Sequence, residues 1–95
     1  MSRAAFDLNV EHIARLAVEA RECSDLARLR AIQSIADKAR ADADLATDIV
    51  FKDDGVPAGR ACVLILKTDV RLRLMLIRAR VRVAELEAQL LASSA

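Results

Sequence analysis

Only Gly55, Pro57 and Gly59 interrupt this chain with residues that disfavour a helix, and all three lie within five positions of one another. The 54 residues before them contain neither glycine nor proline. A β-sandwich or barrel needs turn residues every ~8–12 positions, so this spacing excludes a turn-rich sheet and predicts long helices. The side chains agree. Hydrophobic types make up 55% of the 95 residues, with 19 Ala and 13 Leu, while Phe6 and Phe51 are the only aromatics. Alanine and leucine are strong helix formers, and they build a small aliphatic core rather than a deep pocket. Ninety-five residues accommodate one domain and not a multi-domain enzyme. A domain of this size buries only roughly 60–65% of its unfolded surface, so self-association is a natural source of further stability.

Phe6, Val10, Ile13, Ala17 and Ala20 recur at steps of four and three, which predicts one face of a helix over residues 5–22. A longer series, Leu29, Ile32, Ala36, Ala39, Ala43, Ala46 and Val50, alternates the same steps without error. That is a packing seam of heptad type on a second helix, over residues 25–50, and its alanines let a neighbour approach closely. The two series are out of register, because the first continues onto Ser24 and Ala27 rather than Leu26 and Leu29. Ser24 or Asp25 supplies a cap for the new helix. A single kinked helix is the alternative. Residues 52–59 carry the Asp-Gly pair and the proline of a loop.

A third helix is predicted over residues 60–92. On a helical wheel its apolar residues fill two arcs. One holds Ile65, Leu72, Leu76, Ala79, Val83, Leu86 and Leu90; the other holds Val63, Leu66, Val70, Leu74, Ile77, Val81, Ala84 and Ala88. A helix apolar on opposite sides needs neighbours on both. The first two helices cover one arc, and the second arc calls for another subunit. A strand reading competes here, because Val70–Leu74 and Arg78–Val83 each alternate apolar and polar residues. The alternation slips phase at Leu76-Ile77, so a strand needs a bulge there. That alternative is an α+β fold with a hairpin in residues 61–84. The favoured fold is all-α: a helical hairpin or three-helix arrangement in one domain, coiled-coil-like and oligomeric, with a long C-terminal helix.

The formal net charge of +1 points to no polyanionic partner. Its distribution is uneven, with eight basic and eleven acidic residues in 1–59 against seven and three in 60–95. Such asymmetry serves pairing between halves, pairing between subunits, or a binding face. No stretch approaches the ~20 apolar residues that span a bilayer, and Asp7 and Glu11 interrupt any apolar signal segment. The expectation is a protein of the cytoplasm, or of a particle assembled there, with no membrane partner. Cys23 and Cys62 are too few for a disulfide framework and are expected to be small buried hydrophobes.

Catalytic chemistry has little to work with. Gly55 and Gly59 are isolated and lack the Lys-Ser or Lys-Thr of a phosphate loop. None of the serines sits in a nucleophile elbow. His12 is the only histidine, which excludes a scheme with two imidazoles. His12, Glu19 and Cys23 share a helical face, but a fourth zinc ligand is missing. Asp42 and Asp44 point to different sides of a helix, and Asp53 and Asp54 lack calcium-loop spacing. No catalytic residue, metal, cofactor or small-molecule substrate is assigned. Arg71, Arg78 and Arg82 line one edge of the third helix, with Arg73 and Arg80 on the other. A basic helix of this kind can lie along phosphates, yet the two lines face apart and no aromatic is interleaved to stack on bases.

Residues 77–87 are similar to the Ile-x-Ala-Arg-hydrophobic stretch of gas-vesicle shell proteins. The glycine that turns that family's hairpin has no counterpart upstream, and the helical N-terminal half does not fit that family, so no membership is assigned. The functional expectation is a non-catalytic structural or adaptor protein that binds itself through helix faces. It would serve as a subunit of a bacterial or phage assembly (a source inferred from Arg- and Ala-rich usage) or as a small partner-binding coiled-coil protein. Leu66, Val70, Leu72, Leu74, Leu76, Ile77, Val81, Val83, Leu86 and Leu90 are the candidate interface. The alternative is a small nucleic-acid-binding regulator that uses Arg71, Arg78 and Arg82.

Overall fold

The run without glycine or proline folds as two helices, not one. The computed structural model describes residues 3–53 and 57–94, with side chains placed for 4–45 and 62–94. Helix α1 spans Arg3–Glu22, α2 spans Leu26–Asp53 and α3 spans Pro57–Ser94. The break follows from capping. The Asp25 carboxylate accepts a bond from the Ala27 N–H at 3.2 Å, and its carbonyl accepts the Leu29 N–H at 2.9 Å. Those are the side-chain cap and the opening turn of α2. On the other side, the Cys23 N–H donates to the Ala20 carbonyl at 3.4 Å, tightening the last turn of α1.

Helix α3 starts at Pro57, three residues before the expected position. Proline has no N–H to lose at the first helical position and its φ is already helical, so it opens the helix here instead of closing a loop. Residues 54–56 of the expected loop lie outside the described residues.

The α+β alternative is overturned. No strand occurs among the described residues, and α3 runs unbroken through 61–84. The burial pattern gives the reason. A strand would put Val70, Leu72 and Leu74 on one face. Val70 and Leu74 are buried, at 5% and 1% exposure, whereas Leu72 between them is 60% exposed. The buried series Val63, Val70, Leu74, Ile77, Val81 and Ala84 follows steps of three, four and seven, so the helical period prevails over the local alternation.

The three helices pack pairwise into an elongated body of 60 × 19 × 17 Å. Ion pairs join Arg30 to Glu85 at 3.8 Å, Asp37 to Arg78 at 3.2 Å and Asp44 to Lys67 at 3.8 Å. Residue numbers rise on α2 as they fall on α3, so these helices are antiparallel. Two of the three pairs join an acid of the N-terminal part to a base of the C-terminal part, which accounts for some of the charge asymmetry. All are at least partly solvent-exposed, so they guide register more than they stabilise. Along the centre lie Phe6, Val10, Ile13, Leu16, Ala17 and Ala20 from α1, with Leu29, Ile32, Ala36, Ala39 and Ala43 from α2. The α3 face described above completes this core. Among the described residues no helix is long and apolar enough to cross a membrane.

Candidate functional site

One side of α3 is used by the bundle, and the other side is apolar and open. Ile65, Leu72, Leu76, Val83, Leu86 and Leu90 are all at least 40% exposed, and Ala79 between them is exposed too. With Asp69 included, these positions alternate steps of four and three from 65 to 90, which is the spacing of a two-helix seam. Asp69 is its one polar position below Ser93, and its carboxylate accepts a bond from Arg73 Nε at 2.8 Å. Leu64, Met75 and Leu91, at 55%, 56% and 74% exposure, add apolar surface at the edges. Single exposed hydrophobes are ordinary on any protein, whereas a contiguous stripe of this length is a candidate interaction surface.

The candidate interface residues divide between the two sides. Val70, Leu74, Ile77 and Val81 are buried in the chain's own core, and Leu66 packs against it half-buried. They are not surface on a single chain. The reason is that two arcs of equal hydrophobicity cannot both face solvent, and α1 and α2 cover this one. Leu72, Leu76, Val83, Leu86 and Leu90 are the members left outside. On α2, Leu29, Ile32, Ala36, Ala39 and Ala43 are likewise consumed by the core; the side chains of Ala46 and Val50 lie outside the described ones.

Beyond Glu85, which pairs with Arg30, α3 continues for more than two turns with every residue from 86 to 94 exposed. An isolated helical segment of that length gains little from its own hydrogen bonds. Ser93 and Ser94 turn their hydroxyls back onto the Gln89 and Leu90 carbonyls at 2.9 and 2.8 Å.

The arginines do not form one basic surface. Arg78 is paired with Asp37 and Arg73 with Asp69. Arg80 has a structural role that periodicity could not show. Its Nε donates to the Ala20 carbonyl at 3.3 Å and its Nη2 to the Cys23 carbonyl at 2.8 Å. Both carbonyls lie at the end of α1, where the regular helical donors run out; that of Ala20 also accepts the Cys23 N–H, and a cation there suits the helix dipole. Among the described residues only Arg71 and Arg82 of the five lack a polar partner, and they stand eleven positions apart on α3.

A cleft of about 230 Å³ lies where Phe6 and Ala43 meet Leu64 and Val70, with Arg40, Asp44, Lys67, Thr68 and Arg71 around it. Asp44 is shared between Arg40 at 3.7 Å and Lys67 at 3.8 Å, and the Thr68 hydroxyl donates to the Leu64 carbonyl at 3.1 Å. These lining residues do not pair a nucleophile with a base. Glu19 is engaged by Arg28 across the α1–α2 turn. Among the described residues no three of the histidine, cysteine and acidic side chains come together to hold a metal ion. Cys23 is half-buried and Cys62 exposed, neither in a disulfide, so the expectation of buried cysteines is corrected. Cys23 sits in the inter-helix turn, and Cys62 stands one residue before Val63, the first buried position of α3 among the described side chains. Comparison with family models, curated proteins and solved structures gives no match for this chain.

Proposed function

We propose that this chain is a non-catalytic structural or adaptor protein that associates through the outward face of α3. Its place would be as a subunit of a bacterial or phage assembly, or as a small coiled-coil binding protein, in the cytoplasm. One observation carries the reading: an apolar seam at heptad spacing, from Ile65 to Leu90, lies exposed on the side of α3 away from the bundle. The mechanism is burial of that seam against another helix. No cofactor or chemical step is needed for it. Light scattering coupled to size exclusion tests the proposal, with an oligomer expected at micromolar concentration. A folded monomer at that concentration would refute it.

A further inference from the structure

We infer that the partner of this face is a second copy of the same chain, lying parallel and in register along residues 72–93 of α3. The inference rests on the self-association just proposed and adds its orientation. In heptad terms, Leu76, Val83 and Leu90 occupy the a positions, and Leu72, Ala79, Leu86 and Ser93 the d positions. The flanking g positions are then Thr68, Met75, Arg82 and Gln89, and the e positions are Leu66, Arg73, Arg80 and Glu87.

The flanks decide the direction. In a parallel pair, each g residue faces the e residue five positions further along the partner. Arg82 then faces Glu87 of the other copy, and the two-fold axis makes the contact twice. Both side chains are exposed, and neither has a polar partner among the described residues. Nor can either find one on its own helix. The acid nearest Arg82, Glu85, is taken by Arg30. Glu87 has only Val83, Ala84, Leu90 and Leu91 at helical-neighbour spacing. An antiparallel pair sets g against g and e against e. Arg82 would then meet a flank without any acid. Glu87 would meet Arg73 and Arg80, which are already held by Asp69 and by the α1 carbonyls. Only the parallel arrangement answers both charges.

Area and shape agree. The five large exposed seam residues within 72–93 present on the order of 450 Å² per chain, within the range of patches monomers expose. Two such faces together would remove roughly 900 Å², to which the flanking e and g side chains add, at the small end of specific interfaces. Parallel packing also lays the segments after Glu85 side by side, so that each gains the helical neighbour the bundle does not provide.

Charge exchange tests the orientation. Arg82→Glu alone and Glu87→Arg alone each set like charges across the interface twice, and each should raise the dimer dissociation constant roughly tenfold. Mixed in equal amounts, the two variants should form a heterodimer of about wild-type affinity, since both cross-pairs are then opposite in charge. A second measurement is independent of affinity. Ser93→Cys, with Cys23 and Cys62 changed to Ser, should give a covalent dimer under mild oxidation, because d positions of parallel chains face each other. Circular dichroism checks that each variant remains helical. Dimers by light scattering without heterodimer rescue and without the cross-link at position 93 would overturn the parallel register and leave self-association standing. A monomeric wild-type chain would overturn both.

Discussion

Leu72 and Leu74 stand two residues apart and are chemically identical, yet the structure assigns them opposite roles. Leu74 is 1% exposed in the three-helix core, and Leu72 is 60% exposed on the outer seam. Leu74→Ala therefore removes three carbons from a close-packed site and should lower folding stability by about 2–5 kcal/mol. For a chain of this size that corresponds to roughly 10 °C or more in Tm, at about 4–8 °C per kcal/mol. Leu72→Ala should leave the isolated chain nearly unchanged. Its cost falls on association, which covers the roughly three-fifths of the truncated surface that is wet in the free chain. At ~0.8 kcal/mol per buried methylene this is roughly 1.5 kcal/mol per chain and about 3 kcal/mol for a pair, on the order of a hundredfold in Kd. The two effects separate by concentration, because association stabilises by mass action. Thermal melts across a range of protein concentrations should show Leu74→Ala displaced downward throughout. Leu72→Ala should match wild type when dilute and fall behind it only when concentrated. Equal losses for the two variants in dilute solution would refute the assignment of α3's faces, and with it the helical period that separates them.

Two further predictions concern how the helices are joined. Arg80→Ala removes the guanidinium donors from the Ala20 and Cys23 carbonyls, leaving Ala20 with the Cys23 N–H alone, and should lower stability by about 1–3 kcal/mol in urea denaturation. Arg80→Lys, which cannot place two donors at a fixed angle, should recover only part of that, and full recovery would show that charge alone matters. Asp25→Ala removes the cap of α2 and should lower stability by about 1 kcal/mol, with Asp25→Asn close to wild type. An unchanged denaturation midpoint for the alanine variant would place the helix break elsewhere in its cause.

Much of the architecture could be read from spacing. The two out-of-register series before Gly55 favoured a break near Ser24 and Asp25 over a single kinked helix, and the apolar positions 6, 10, 13, 17 and 20 predicted a helical face. The surplus of apolar surface on residues 60–92 was legible as well. Which of the two arcs faces α1 and α2 was not. Both are aliphatic, so hydrophobicity gives no preference. The outcome depends on three-dimensional fit, with the buried arc carrying Val63, Val70, Ile77 and Val81 and the outer arc carrying Leu72, Leu76, Leu86 and Leu90. Arg80 was illegible for a related reason. Its place in a line of charges could not show that its guanidinium ends opposite the terminal carbonyls of α1, about sixty residues away in sequence. Pro57 illustrates a different limit, since the same residue signals a turn and the first position of a helix.

The unequal helix lengths leave part of α3 without a neighbour in the bundle. At 1.5 Å per residue, the 20 residues of α1 reach about 30 Å and the 38 of α3 about 57 Å. No bundle of these three helices can cover α3 along its full length. The alanines of α2 sharpen the mismatch. Ala36, Ala39 and Ala43 bring the neighbouring backbones close, which gives the narrow 19 × 17 Å cross-section and leaves space for only one arc of α3. A third helix meant to remain a monomer's surface would carry polar residues on its outer arc, as the outward faces of α1 and α2 largely do. Here leucine and valine stand at a and d spacing instead. With Arg82 and Glu87 at the matching flanks, and without partners among the described residues, that pattern is what the proposed pairing with a second copy would bury.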